Sequence, residues 1–571
     1  MQKLLRTTAI VICALCLAGF ENPAASDLSD QVREFLRNRI ETAGIPARVG
    51  VGEELIHASV MLPRFYERRG YRPAWSDNDG PLSLVEALIR AIQAADLEGL
   101  DPADYHLAKI ETVLAEISQS QRGKKPVSPR RLVDLDLLLT DAFLIYASHL
   151  LAGSVNPETF DPEWHANRRE ADLATVLERT LTSGQIEEEL GNFLPSQSGY
   201  AGLRKALASY RDLASRGGWP MVSDGPKLQR DDTGERVTAL CRRLRVSGDY
   251  SRQVNSDETL FDELLESAVR RFQQRHGLEV DGVVGPGTLA VLNIPVEKRI
   301  RQIEVNMERW RWLPQNLGKF YLLVNIAGFQ LDLVEGGQSV LVMRVIVGQG
   351  YRRTPVFSEK MTYLVLCPSW HVPPNIAIQD KLPLIRKDPN YLAKQHMRVF
   401  HDWGADAREI NPGTIDWSTV TAENFTHRLR QDPGPWNALG PVKFMFPNRF
   451  NVYLHGTPSQ QLFAKTTRAF SSGCIRLEKP IDLAAYVLRK DPKWTKERIQ
   501  AAMQENVEQT VQLSEPIPVH LLYWTAWVDG DESLQFREDI YGRDTLLDRA
   551  LANKNSANHS PVDASASSSK P

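Results

Sequence analysis

Residues 451–477 read NVYLHGTPSQQLFAKTTRAFSSGCIRL, and the rest of the chain is organised around them. Val452 and Leu454 alternate with Tyr453 and His455, which predicts a short strand carrying Tyr453 and His455 on one face. A polar turn and a short amphipathic segment follow. Then come Ser471-Ser472-Gly473-Cys474, with Arg476 just beyond. A histidine, a cysteine on a glycine turn and a nearby cation are the parts of a thiol nucleophile. A free cysteine has a pKa of about 8.5. An adjacent imidazole lowers it by holding the thiolate in an imidazolium pair. His455 and Cys474 meet if the segment between them loops back. Gly473 permits a tight turn, so that the amides of Gly473 and Cys474 point at one spot, the geometry of an oxyanion hole. Arg476 can grip a carboxylate in bidentate fashion, and Tyr453 can lend a hydroxyl.

The chain has 571 residues, which implies about two to four domains. A formal net charge of -3 argues against a nucleic-acid partner, which would require a basic bias. Lys3 and Arg6 precede an apolar run from Thr7 to Phe20 and the small residues Ala24-Ala25-Ser26. That is the pattern of a secretory signal peptide over 1–26. No later segment is expected to cross a membrane. Beyond that leader the sequence holds Cys241, Cys367 and Cys474. Exported proteins usually pair their cysteines, so an odd number leaves a thiol to explain. Cys241 and Cys367 fall on apolar stripes and read as core, bridged or not. Cys474 alone sits in a polar turn.

From 27 to 217 the spacing of apolar residues predicts helices, a scaffold domain without a catalytic constellation. Gly217-Gly218-Trp219-Pro220 ends it. Helices are expected near Glu235–Leu244 and Leu264–His276, then a glycine-rich loop and a short helix, together a unit over 225–295. A connecting helix falls within 296–318. From 319 to 545 the pattern is strand-like, with a hairpin turning at Glu335-Gly336-Gly337-Gln338 between strands over 319–334 and 339–347. A stretch over about 375–435, rich in Pro, Asp and Trp, is too long for a plain loop and reads as a capping insertion. Residues 553–571 read as a disordered tail.

Val269-Arg270-Arg271-Phe272-Gln273, followed by Gly277-Leu278, Asp281-Gly282 and Gly285-Pro286-Thr288, resembles the three-helix peptidoglycan-binding domain of bacterial wall enzymes. His455-Gly456-Thr457 with Ser471-Ser472-Gly473-Cys474-Ile475-Arg476 resembles the signature of the L,D-transpeptidase (YkuD-type) catalytic domain, with Ser472 where that signature has His. That departure, with Trp370-His371-Val372-Pro373-Pro374, Pro441 and Pro516-Ile517-Pro518-Val519, is similar to the large YcbB-type subfamily. The resemblance implies a multidomain α+β protein: a helical N-terminal scaffold, a peptidoglycan-binding domain, and a β-rich catalytic domain with a capping insertion. It implies Cys474 as nucleophile, His455 as base and the Gly456 carbonyl orienting the imidazole. Gly473, Cys474 and Tyr453 would hold the oxyanion; Arg476, Ser472 and Trp370 would contact substrate. The reaction implied is 3→3 cross-linking of tetrapeptide stems through a cysteine acyl-enzyme in the periplasm of a Gram-negative cell. Sensitivity to carbapenems follows, with no metal or other cofactor and with wall-synthesis proteins as partners. Water or a lipoprotein lysine as acceptor is the first alternative. A non-catalytic peptidoglycan-binding scaffold is the second, and the intact cysteine and histidine argue against it.

Overall fold

The computed structural model describes residues 27–44, 48–165, 167–251, 258–401 and 407–554. The expected leader lies outside these, as does nearly all of the expected tail. The last helix, Arg543–Asn553, reaches the point where that tail was expected to begin.

The chain forms two compact units. The first comprises the described residues up to Arg90, with Ala103–Leu144 and Ala174–Ile186. It is mainly helical, with two short antiparallel pairs at Gly50–Leu55 and Ser76–Pro81 where only helix was expected. Its buried carboxylates are fully engaged, as burial of a polar group demands. Asp136 accepts from Tyr66 Oη at 2.6 Å and from the amides of Ala74 and Trp75 at 2.9 Å each. Asp141 accepts from the Ala58 amide at 2.7 Å and meets His106 Nε2 at 2.7 Å.

These carboxylates lie on the helix Pro129–Ala152, which by length and composition could span a bilayer, contrary to the expectation above. Its most apolar stretch is wholly buried inside the fold. Asp136, Thr140 and Asp141 are fully buried along it. It is thus a core helix with internal polar partners.

The second unit comprises Ala91–Pro102, Ile145–Leu173 and the described residues from Glu187 on. The helix Ser198–Ser215 belongs here, not with the other N-terminal helices. Tyr200, Leu203 and Leu207 pack with Ile303, Met307 and Trp310 of the helix Val296–Arg311. Helices Glu235–Val246, Glu263–Arg275 and Pro286–Leu292 enclose a small core that includes Leu240, Cys241, Phe272 and Leu292. Asp262 caps the middle helix by accepting from the Leu265 amide at 2.9 Å. Gln273, the last residue of the Val-Arg-Arg-Phe-Gln run, fastens the glycine loop. Its Oε1 accepts from the Gly282 amide at 2.9 Å, and its Nε2 donates to Asp281 Oδ1 at 2.7 Å.

The largest sheet has nine strands. In order they are Ala469–Ser471, Gln338–Gly348, Ile475–Leu477, Leu454–His455, Val442–Met445, Phe357–Leu366, Gln509–Leu522, Phe320–Asn325 and Gln330–Glu335. A further pairing of Gln330–Glu335 with Gln338–Gly348 closes it on itself, which leaves few open edges. The single strand expected over 319–334 is therefore two. The chain reverses at Ile326–Phe329, with Phe329 at φ 53°. Leu364, Phe444, Leu454, Ile475, Leu477 and Val519 point into the core. Alternation then turns Tyr453, His455, Lys443 and Arg476 to the opposite face.

The capping insertion has its own sheet, in the order Glu409–Ile410, Met397–Phe400, Arg428–Gln431, Trp370–His371. It thus begins before the expected boundary, at Trp370. Val372, Ile385, Leu392, Val399 and Leu429 form its core, against which Tyr453 packs.

Candidate active site

Two short strands make the site. Leu454–His455 runs parallel to Ile475–Leu477, with His455 facing Arg476. Cys474 comes one residue before the second strand, beside Tyr453, and the Ile475 amide donates to the Tyr453 carbonyl at 3.2 Å. On its other side His455 faces Lys443 of Val442–Met445. A row of Arg476, His455 and Lys443 thus crosses three strands, with Tyr453 and Cys474 at its edge.

The turn that carries Cys474 is closed by Ser471. Its hydroxyl donates to the Cys474 carbonyl at 2.5 Å and accepts from the Gly473 amide at 3.1 Å. Thr354, fully buried, donates its hydroxyl to the Gly473 carbonyl at 2.8 Å. Gly473 lies at φ 115°, a region that side-chain-bearing residues rarely adopt. The Gly473 amide is thus engaged by Ser471 within the turn.

His455 is 5% exposed. Its Nδ1 lies 2.5 Å from the Gly456 carbonyl. A carbonyl only accepts, so Nδ1 carries the hydrogen and Nε2 keeps a lone pair. Gly456 is tightly held: an added Cβ would meet Pro441 Cδ at 2.8 Å.

The electrostatics differ from an imidazolium–thiolate pair. Burial, then the Arg476 guanidinium and the Lys443 ammonium, pushes His455 down to about 3, against the pull of the Gly456 and Leu439 carbonyls. Burial raises the Cys474 thiol, while Tyr453, Lys443 and Arg476 draw it back down. Burial thus disfavours both the thiolate and the imidazolium. Tyr453 is pushed well above the phenol range by burial and by Cys474.

The other expected residues fall as follows. Arg476 lies beside His455, and burial lowers its pKa. Ser472 is exposed; its hydroxyl accepts from Arg352 Nη1 at 2.9 Å. Trp370 is 8% exposed inside the cap core, with Lys381 Nζ 5.3 Å from its ring. Its ring packs with the core of the cap. All three described cysteines are free thiols, with Cys241 and Cys367 buried.

Three residues near the site went unread in the sequence: Lys443, Arg352 and Thr354. Of these, Lys443 left a signal, as a charge in the otherwise apolar strand Val442–Met445.

Residues 319–496 match the family model described as L,D-transpeptidase catalytic domain. Residues 233–292 match one described as "Putative peptidoglycan binding domain", and residues 61–207 one described as Scaffold domain. A Haemophilus influenzae protein named "Putative L,D-transpeptidase" is 34% identical over 263 residues, 46% of this chain and 52% of that protein. The chain thus spans about half the length of this curated relative. The solved L,D-transpeptidase (residues 123-326) of Xylanimonas cellulosilytica is 18% identical, covers 52% of this chain and 100% of its own, and has a TM-score of 0.17. The L,D-transpeptidase (Yku) of Stackebrandtia nassauensis is 14% identical, with 53% and 96% covered and a TM-score of 0.20. Scores that low carry no weight. The chain combines a YkuD L,D-transpeptidase catalytic domain with a peptidoglycan-binding and a scaffold domain, in a multidomain α+β architecture.

Proposed function

We propose that this protein is a cysteine L,D-transpeptidase that forms 3→3 cross-links between peptidoglycan tetrapeptide stems. One observation carries the reading. His455, its tautomer set by the Gly456 carbonyl, lies on the strand that pairs beside Cys474, on the same face.

The Cys474 thiol gives its proton to His455 Nε2 as Sγ attacks the carbonyl carbon of the third stem residue, a diaminopimelate. The oxyanion is held by the Cys474 amide and the Tyr453 hydroxyl. Collapse expels the terminal D-alanine, whose amine takes the proton from His455, and leaves a thioester. The side-chain amine of a second stem's diaminopimelate attacks that thioester. The amide forms, the carbon–sulfur bond breaks, and His455 passes the amine's proton to the leaving thiolate. Because burial disfavours both the thiolate and the imidazolium, the proton transfer accompanies attack instead of preceding it. Arg476 binds a stem carboxylate.

The peptidoglycan-binding domain supports a wall polymer as substrate. The enzyme acts outside the cytoplasm, in the periplasm of a Gram-negative cell, delivered by a signal peptide at 1–26. Carbapenems acylate Cys474.

The test is product analysis. Wild type and Cys474→Ala are incubated with purified disaccharide-tetrapeptide and the products are weighed by mass spectrometry. A dimer lacking one D-alanine, made by wild type only, supports cross-linking. Tripeptide alone would make the protein a carboxypeptidase. Identical behaviour of both proteins would remove Cys474 from the reaction.

A further inference from the structure

Lys443 faces His455 across an antiparallel pair. The Gly456 amide donates to the Val442 carbonyl at 3.0 Å. The bonded positions are therefore 456 with 442, and the pair formed by His455 and Lys443 is a non-bonded one, where side chains approach more closely. Its ammonium lies 3.9 Å from the centroid of the Tyr453 ring. Among the described residues it makes no ion pair and no hydrogen bond. A half-buried ammonium is costly, and Cys474 and Glu508 are the groups whose negative charge offsets that cost.

Tyr453 interacts with Cys474 from beside the neighbouring strand, and Arg476 lies two residues further along its own. Arg352 reaches the turn through Ser472. Lys443 lies on the strand beyond His455 and interacts with both Cys474 and Glu508. Of these groups only Lys443 and Arg476 interact as cations with the sulfur. Arg476 is the residue assigned to substrate, which leaves the lysine.

We infer that Lys443 is the counter-charge for the Cys474 thiolate: its ammonium, set beside His455 and over the ring of Tyr453, holds positive charge on the strand face where the sulfur turns negative. The inference rests on the reading of Cys474 as a nucleophile and extends it to a residue outside the local motif. Lys443 makes no covalent bond. The thiol's proton passes to His455, and Lys443 stabilises the charge left on Sγ.

The rate of Cys474 carboxamidomethylation by iodoacetamide, followed on the intact chain from about pH 5 to pH 10, reports the thiolate directly. Cys474→Ala gives the background from the other four cysteines of the chain. Removing a cation this close is expected to move the midpoint of Lys443→Met up by about one pH unit. Lys443→Arg is expected to restore it. A Lys443→Met profile that superimposes on wild type, with Arg476→Met moving it instead, would overturn the proposal. Lys443→Gln carries the same test should the methionine variant fail to fold, as judged by circular dichroism. The readout needs no peptidoglycan. A shifted profile in a protein that makes nothing from stems would refute the transpeptidase reading and leave this one standing.

Discussion

Arg352 grips Asp380 through both guanidinium ends, Nη1 to Oδ2 at 2.5 Å and Nη2 to Oδ1 at 2.8 Å. Asp380 belongs to the capping insertion, and the same Arg352 Nη1 donates to Ser472, two residues before Cys474. The pair therefore ties the cap to the turn that carries Cys474. Asp380 is 38% exposed in its side chain, so the link is worth roughly 0.5–1 kcal/mol to overall stability. Asp380→Asn should lower the melting temperature by no more than about 2 °C. It should raise amide hydrogen exchange across Pro374–Lys387 several-fold, as should high salt on the wild type. Unchanged exchange would show that the cap is held elsewhere.

Ser471 closes the turn by one donated and one accepted bond, both inside a buried segment. Ser471→Ala leaves the Cys474 carbonyl and the Gly473 amide without that hydroxyl, at a cost of about 1–3 kcal/mol. Acylation should slow on the order of 100-fold, since small misplacements of a nucleophile cost that much. Gly473→Ala forces a side chain into φ 115° and should cost a further roughly 1–3 kcal/mol. Denaturant melts and burst kinetics check both.

Acid should destabilise the second unit. Burial lowers His455 to about 3 and places His276 and His520 below the ordinary imidazole range. The unfolded chain binds protons near pH 6.5 that these folded sites refuse. Their contribution is thus complete above about pH 6.5 and is lost as pH falls toward the folded values. His106 in the first unit has the opposite sign. Burial pulls it down, but Asp141 and Glu54 outweigh burial and raise it. Its contribution is complete below about pH 6.5 and is lost as pH rises through its folded value. Calorimetry from about pH 5 to pH 8 should show the signs separately, with His106→Gln removing only the alkaline loss.

The neighbourhood of His455 and Cys474 was legible because its signal is local: a strand, a glycine turn and a polar setting in one stretch. Gly456 followed from the resemblance, not from spacing. Lys443 was hidden because its relation to His455 exists only through strand pairing, and register is a tertiary property. The turn at Ile326–Phe329 was missed because Ile326, Ala327 and Phe329 look like more strand. In the strand Gln509–Leu522 the apolar alternation is interrupted by Pro516, which falls in a register shift between Gln512 and Ile517. The helix Ser198–Ser215 looked like its N-terminal neighbours, since amphipathic spacing shows that a face is buried but not against what.

The most direct test of the central claim is the intact mass of the protein after brief exposure to tetrapeptide stems and acid quenching. The account predicts a covalent adduct on Cys474 equal to the stem less its terminal D-alanine, absent from Cys474→Ala and slow to form in His455→Asn. Product formation without any adduct, or an adduct that persists in Cys474→Ala, would contradict it.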